Sequence, residues 1–120
     1  HRQDNVQVKT TGGSQATVTT DAVSQRLVYQ IDQLPEVLNV YPRVNGRRER
    51  VDIDLQLETT PDINIPAKTD EVTTLVKEVV EKQMGLKLGR VTVHIKHIPY
   101  PPDSSNAQNQ KVEEEIPSGL

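Results

Sequence analysis

The sequence predicts an α+β fold: a two-layer sandwich in which two helices cover one face of a small, mostly antiparallel sheet of three or four strands. One segment alternates apolar and polar residues at the period of a strand, and two others repeat apolar residues at the period of a helix. In chain order the elements read β-α-β-β-α-β. They occupy residues 16–98, between a lead-in with a short strand at 1–15 and a disordered, Pro-containing acidic tail at 99–120.

The strand around which this fold is organised is RVDIDLQLET, residues Arg50–Thr59. Successive side chains of a strand point to opposite faces of a sheet, so the alternation separates an aliphatic face from a polar face. Such a strand is typical of an antiparallel sheet with one packed and one solvated side. The aliphatic set is Val51, Ile53, Leu55 and Leu57, and the polar set is Asp52, Asp54, Gln56 and Glu58.

Two short extended segments, the second at 16–19, precede the first helix. We expect that helix to span 21–34, because its apolar residues recur at intervals of three and four. Thr19 or Thr20 can cap its start, and Pro35 cannot continue it. The apolar stripe consists of Val23, Leu27, Ile31 and Leu34.

The next strand is predicted at 37–44 and leads through a hairpin into the organising strand. Pro42 has no backbone N–H, which places this strand at a sheet edge or interrupts it. Asn45 and Gly46 are turn residues and begin the hairpin connection. The side chains expected to face the core are Leu38, Val40 and Val44.

The second helix begins at 67 or 69 and runs to 84, where Gly85 is a suitable terminator. Its apolar residues give a complete helical stripe. The last strand spans 89–98, and prolines end it. The helix stripe is Val72, Leu75, Val76, Val79 and Val80, and the outward residues of the strand are Thr92, His94 and Lys96.

Composition excludes several functional classes. The 120 residues contain no Cys, which rules out disulfides and thiolate metal sites, and the only aromatic residues are three Tyr. The net charge is −3, all of which arises in the tail, so residues 1–98 are neutral. Neutral charge and few aromatic residues do not favour nucleic-acid binding. No run of about 18 apolar residues that could span a membrane is present.

Two constellations could carry chemistry. Asp52 and Asp54 share a strand face, where paired carboxylates could act as general acid and base. The alternative is a solvated sheet face whose acids pair with cations across the strands. His94 and His97 differ by three positions, so on a strand they face opposite ways and cannot share a metal ion. With no nucleophile in a suitable context, the sequence predicts a non-enzyme without catalytic residues, cofactor or metal.

Four arginines near the predicted hairpin form the most partner-like feature of the sequence. Residues 43–50 contain four Arg and one Glu, and such a basic segment could bind phosphate, anionic lipid headgroups or an acidic partner. The alternative is a solubilising loop. We predict partner binding by Arg43, Arg47, Arg48 and Arg50.

Three stretches resemble the alkaline-shock, or envelope-stress-response, protein family of mainly Gram-positive bacteria. They are VTTDAVSQRLVYQIDQLPEVLNV, VDIDLQLETTPDINIP and LVKEVVEKQMGLKLGRVTVHIKHI, which are similar to the opening helix, the central strand and the closing helix with the final strand. The resemblance covers 17–98 and is nearest to the membrane-anchor type, whose similar domain follows transmembrane segments. One departure is Glu36, where the family has a glycine at the exit of the first helix.

The resemblance implies a non-enzymatic scaffold or anchoring domain in cell-envelope stress response or homeostasis. It implies a soluble domain at the cytoplasmic face of the cell membrane, attached through a segment upstream of His1, that binds itself or a homologous protein. The family offers no catalytic residues to transfer. The alternative is a small α+β RNA-binding module, although the KH-type GxxG clamp is absent.

Overall fold

A computed structural model describes residues 4–47 and 49–99. Their architecture is α+β, which confirms the predicted fold class. None of the helices in these residues is long and apolar enough to cross a lipid bilayer. The predicted acidic tail lies outside the described residues. The elements are β1 (Asn5–Val8), β2 (Ala16–Thr19), α1 (Thr20–Ile31), β3 (Val37–Arg47), β4 (Arg50–Thr59), α2 (Ile65–Lys77), a π-helical turn (Glu78–Gln83) and β5 (Lys87–His97).

The main sheet has three strands in the order β3-β4-β5, with the organising strand at its centre. β3 and β4 form the predicted antiparallel hairpin, and Pro42 lies on β3 at the sheet edge. The prediction that Asn45 and Gly46 begin the turn was wrong, because β3 continues to Arg47 and both residues pair with β4. β5 instead runs parallel to β4, and the connection between the two strands passes through α2 as the helical crossover that a parallel pair requires. β1 and β2 form a separate antiparallel pair.

The core lies between this sheet and the two helices. The aliphatic residues of β4 are 0–1% exposed, as their alternation predicted. α1 and the α2–π-turn segment cover them with their apolar stripes. The helix residues that fill the core are Val23, Leu27 and Ile31 from α1, with Val72, Val76, Val79 and Val80 from the second helical segment.

The N-terminal hairpin closes one end of this core. Val6 on β1 is fully buried, so the core extends into the predicted lead-in. The Lys9 backbone N–H donates to the Gly85 carbonyl oxygen at 2.8 Å, which ties the hairpin to the end of the second helical segment. Gly85 has a φ of 67°, a conformation that suits glycine, and a Cβ there would press on Val8 at 3.1 Å.

Local irregularities account for the differences from the predicted elements. α1 is capped by Thr19, whose hydroxyl accepts from the Ala22 N–H at 3.0 Å, and it ends at Ile31, three residues early. The prediction for Leu38 was wrong: the register shifts at the start of β3, so Val37 is buried and Leu38 is 45% exposed.

The second helical segment ends in a π-helical turn that sequence periodicity did not reveal. Val79 and Val80 lie in this turn and are both buried. The turn also brings Gln83 toward α1, where the side-chain oxygen accepts hydrogen bonds from Arg26 at 3.2 Å and Gln30 at 2.8 Å. The π turn therefore joins the two helices.

A buried lysine holds the exit of α1 in place. The side chain of Lys68 is only 7% exposed, and its Nζ donates to the Pro35 carbonyl oxygen at 2.9 Å and to Glu71 at 2.7 Å. It also pairs with Glu36 at 3.2 Å. Glu36 has a φ of 70°, the left-handed conformation that favours the glycine expected at this position. The lysine network thus accompanies a strained non-glycine turn.

Candidate functional site

The candidate site is the open face of the main sheet, opposite the helices. Its side chains follow from the strand register, because residues paired across β3, β4 and β5 point to the same side. The residues form three rows across the sheet: Asn39–Glu58–Lys96, Tyr41–Gln56–His94 and Arg43–Asp54–Thr92.

Asp52 organises one end of this face. Its carboxylate pairs with Arg47 Nε at 3.1 Å and Arg50 Nε at 3.6 Å. It also accepts a hydrogen bond from the Arg90 backbone N–H at 2.9 Å, where β5 bulges against β4. Gly89 leaves room for that contact, since a Cβ there would collide with the carboxylate. Asp52 therefore joins all three strands and partly neutralises two arginines.

Two cations of the open face, Arg43 and Lys96, lie on opposite edge strands next to carboxylates that make other contacts. Arg43 lies directly across from Asp54, yet the nearest cationic or imidazole partner of the Asp54 carboxylate is His94 Nε2 at 3.3 Å, a contact that is an ion pair only when the histidine is protonated. Lys96 lies beside Glu58, which instead accepts hydrogen bonds from Asn39 at 2.8 Å and from the Tyr41 hydroxyl at 3.4 Å. Among residues 4–47 and 49–99, no carboxylate lies within salt-bridge distance of Arg43 or Lys96.

The face is broad and shallow. Tyr41 is 52% exposed and borders an open depression of about 460 Å³. A depression without enclosing walls does not bury most of a small molecule, as ligand pockets do. It suits a large, flat partner surface. Its lining residues are Tyr41, Pro42, Arg43, Asp54, Gln56 and His94.

The three predicted arginines that the structure describes do not form one cluster. Arg43 lies in the middle of β3, while Arg47 and Arg50 face each other at the hairpin and share Asp52. Arg48 lies outside the described residues. The predicted partner-binding set did not include Lys96 on the opposite edge strand, although the alternation of β5 already placed it on the solvated face.

The two candidate chemical constellations have ordinary structural explanations here. Asp52 and Asp54 share the open face, where Asp52 forms an ion pair with Arg47 and the Asp54 carboxylate lies 3.3 Å from His94 Nε2. His94 pairs in register with Gln56 on the open side, and His97 with Thr59 on the helix side, so the two histidines face opposite ways as predicted. Within the described ranges, no group of three or more His, Asp or Glu is placed to hold a metal ion.

Comparison with known proteins gives similarity at the level of structure. No family model and no curated protein matches the chain. The type III secretion system protein EscJ of enteropathogenic E. coli is 20% identical, with a TM-score of 0.53 over 66% of this chain and 48% of EscJ. A MamM CTD variant is 16% identical, with a TM-score of 0.55 over 65% of this chain and 94% of that domain. The cadmium form of another MamM CTD variant is 14% identical to this chain, with a TM-score of 0.56.

These similarities establish the fold. The chain spans about half the length of the EscJ structure and nearly all of the MamM CTD structures. At such low identity the shared property is the arrangement of two helices on a small sheet. Function has to be inferred from the open face itself.

Proposed function

We propose that this chain is a non-enzymatic scaffold domain that binds a second copy of itself or a homologous domain through its open sheet face. The observation that carries the proposal is that two cations of the open face, Arg43 beside the exposed ring of Tyr41 on β3 and Lys96 on β5, have no carboxylate within salt-bridge distance among the described residues. Tyrosine and arginine are enriched in protein–protein interfaces, where they supply rigid contact area and bidentate hydrogen bonds.

The cellular part of the proposal is a role in the bacterial envelope stress response at the cytoplasmic face of the membrane. Its support is the resemblance of residues 17–98 to the alkaline-shock family, in particular to the membrane-anchor type. Fractionation of cells producing the natural full-length protein tests this part. The proposal expects the domain in the membrane pellet, resistant to high-salt washing. Recovery in the soluble fraction would contradict it.

Sedimentation velocity over a concentration series tests the binding part. We expect the 120-residue chain to self-associate, or to bind a homologous domain added to it. Arg43→Glu should weaken that association at least about tenfold, because it reverses a charge on the open face beside Tyr41. The matched control is Lys9→Glu, an exposed cation in the β1–β2 connection, which should leave association unchanged. Equal association of the wild type and Arg43→Glu would remove the open face from the mechanism.

One observation favours a second candidate function, RNA binding. An aromatic ring beside cations on an open sheet face is an arrangement that can stack and hold single-stranded RNA, and Tyr41 with Arg43 provides a minimal version. This candidate predicts a salt-dependent mobility shift of single-stranded RNA that Tyr41→Ala abolishes. An unshifted RNA at low salt would exclude it and leave the scaffold function.

A further inference from the structure

The charges of the domain are separated between its two layers. We define the sheet layer as strands β3, β4 and β5, and the helix layer as residues 20–36 and 65–83. The sheet layer carries six Lys or Arg against three Asp or Glu, a net charge of +3. The helix layer carries four Lys or Arg against seven Asp or Glu, a net charge of −3. A domain that is neutral over 1–98 is thus polarised from one layer to the other.

The surface of the helix layer is more acidic than its net charge suggests. Lys68, one of its four cations, is buried and cannot present its charge to a partner. Asp70, Glu78 and Glu81 are exposed along α2 and the π turn. Within the described part of the chain none of these three carboxylates forms a salt bridge. They are therefore available to cations from outside the domain.

We infer that copies of this chain stack layer on layer, with the acidic helix layer of one copy on the basic sheet layer of the next. This inference rests on the proposed self-association and specifies its geometry. The contact would bring carboxylates of one copy that form no salt bridge, such as Asp70 and Glu78, to Arg43 and Lys96 of its neighbour, which form none either among the described residues. Opposite surface potentials steer the encounter and set the orientation.

The symmetric alternatives place like charges together. Two sheet layers packed face to face would oppose two surfaces of net positive charge. Antiparallel pairing of two β5 edges centred on Val93 would set Arg90 of one copy across from Lys96 of the other. Like charges directly opposite on paired strands destabilise the pairing. Of these three arrangements, the head-to-tail one brings opposite charges together.

A head-to-tail contact uses two different surfaces, so every added copy leaves one sheet layer and one helix layer free. Association of this kind continues beyond the dimer and ends in rings or open filaments. The interface is electrostatic and partly exposed, so added salt weakens it. We expect sedimentation profiles that broaden toward larger species as concentration rises at low salt, and that return to the monomer at high salt.

Charge reversal on each layer tests the geometry in the full 120-residue chain. The sheet-layer variant is Arg43→Glu with Lys96→Glu, and the helix-layer variant is Asp70→Lys with Glu78→Lys. Each variant alone presents like charge on both layers and should associate at least about tenfold more weakly than the wild type. Mixed in equal amounts, the two variants should associate again, since each supplies the layer complementary to the other. Circular dichroism melts confirm that both variants are folded.

The outcomes separate this inference from the proposed function on which it rests. Wild-type association that the helix-layer variant retains in full would overturn the stacking geometry while leaving self-association in place. Loss in both single variants without recovery in the mixture would also overturn it. A wild type that associates neither with itself nor with a homologous domain at low salt would overturn both the geometry and the proposed function.

Discussion

The same three strands form the packed face and the open face of the main sheet, and the two faces differ in burial and in role. On the helix side, Ile53 and Leu55 are 0–1% exposed, and their contribution depends on volume and burial. On the open side, Asp54 and Gln56 alternate with them and remain in contact with water. The packed face therefore governs stability, while the open face is left to govern recognition.

The largest contrast is expected from adjacent substitutions in β4. Leu55→Ala should lower the free energy of unfolding by about 3 kcal/mol, because it opens a cavity in a fully buried position. Gln56→Ala, one residue along on the open face, should change it by less than about 0.5 kcal/mol. Chemical denaturation of both variants measures the difference. Similar losses of unfolding free energy from the two substitutions would show that the open face is also packed. That result would contradict the distinction between the two faces.

Lys68 is a buried cation and can be compared with Lys96, a cation of the open face. Lys68→Met should lower the free energy of unfolding by about 2 kcal/mol, since it removes charged hydrogen bonds to Glu71 and the Pro35 carbonyl. Lys96→Met on the open face is the matched control and should be nearly neutral. Denaturation curves of the two variants provide the measurement. Equal stability of both variants would contradict a structural role for Lys68.

The pH dependence of this contribution has a defined sign. Burial lowers the pKa of Lys68, but hydrogen bonds and charge interactions with Glu71 and Glu36 outweigh it, so the pKa is raised in the folded protein. A raised pKa stabilises the fold fully below the unfolded value of about 10.4, and that stabilisation is lost as pH rises through the folded value. The stability difference between wild type and Lys68→Met should hold from neutral pH to about 10 and shrink above it.

The smallest expected effect concerns the strained turn after α1. Glu36→Ala removes the ion pair to Lys68 and keeps a side chain at a φ of 70°. Glu36→Gly removes the same ion pair and also relieves the strain. The glycine variant should therefore be more stable than the alanine variant by about 1 kcal/mol. Thermal or chemical unfolding measures the pair, and an alanine variant of equal or greater stability would contradict the strain.

The periodic parts of the sequence were sufficient to predict both layers. The alternation of β4 and the apolar stripes of α1 and α2 gave the fold class and the burial of Leu55 and Val76. The direction of β5 was not predictable in this way, because alternation is the same in parallel and antiparallel strands. The π turn and the buried Lys68 depend on tertiary packing, which local periodicity does not record.

The candidate site was predictable only in part for a related reason. The alternation of β3 shows from the sequence that the Arg43 side chain faces outward. Whether Arg43 has an ion-pair partner depends on which cation each nearby carboxylate contacts. Asp52 takes Arg47 and Arg50, and Asp54 takes His94. These contacts form between strands that are distant in sequence, so the sequence alone does not predict them. They shift the candidate binding residues from the hairpin arginines to Arg43 and Lys96 on the open face.

Site-specific photo-crosslinking tests most directly whether the open face is the binding surface. A photoreactive amino acid replaces Gln56, at the centre of that face, or Thr11 in the exposed β1–β2 connection as the control. We expect Gln56 to crosslink a second copy or a homologous domain, with helix-layer peptides recovered from a second copy, and Thr11 to give no such product. Association of the chain with crosslinks from Thr11 and none from Gln56 would contradict recognition through the open face.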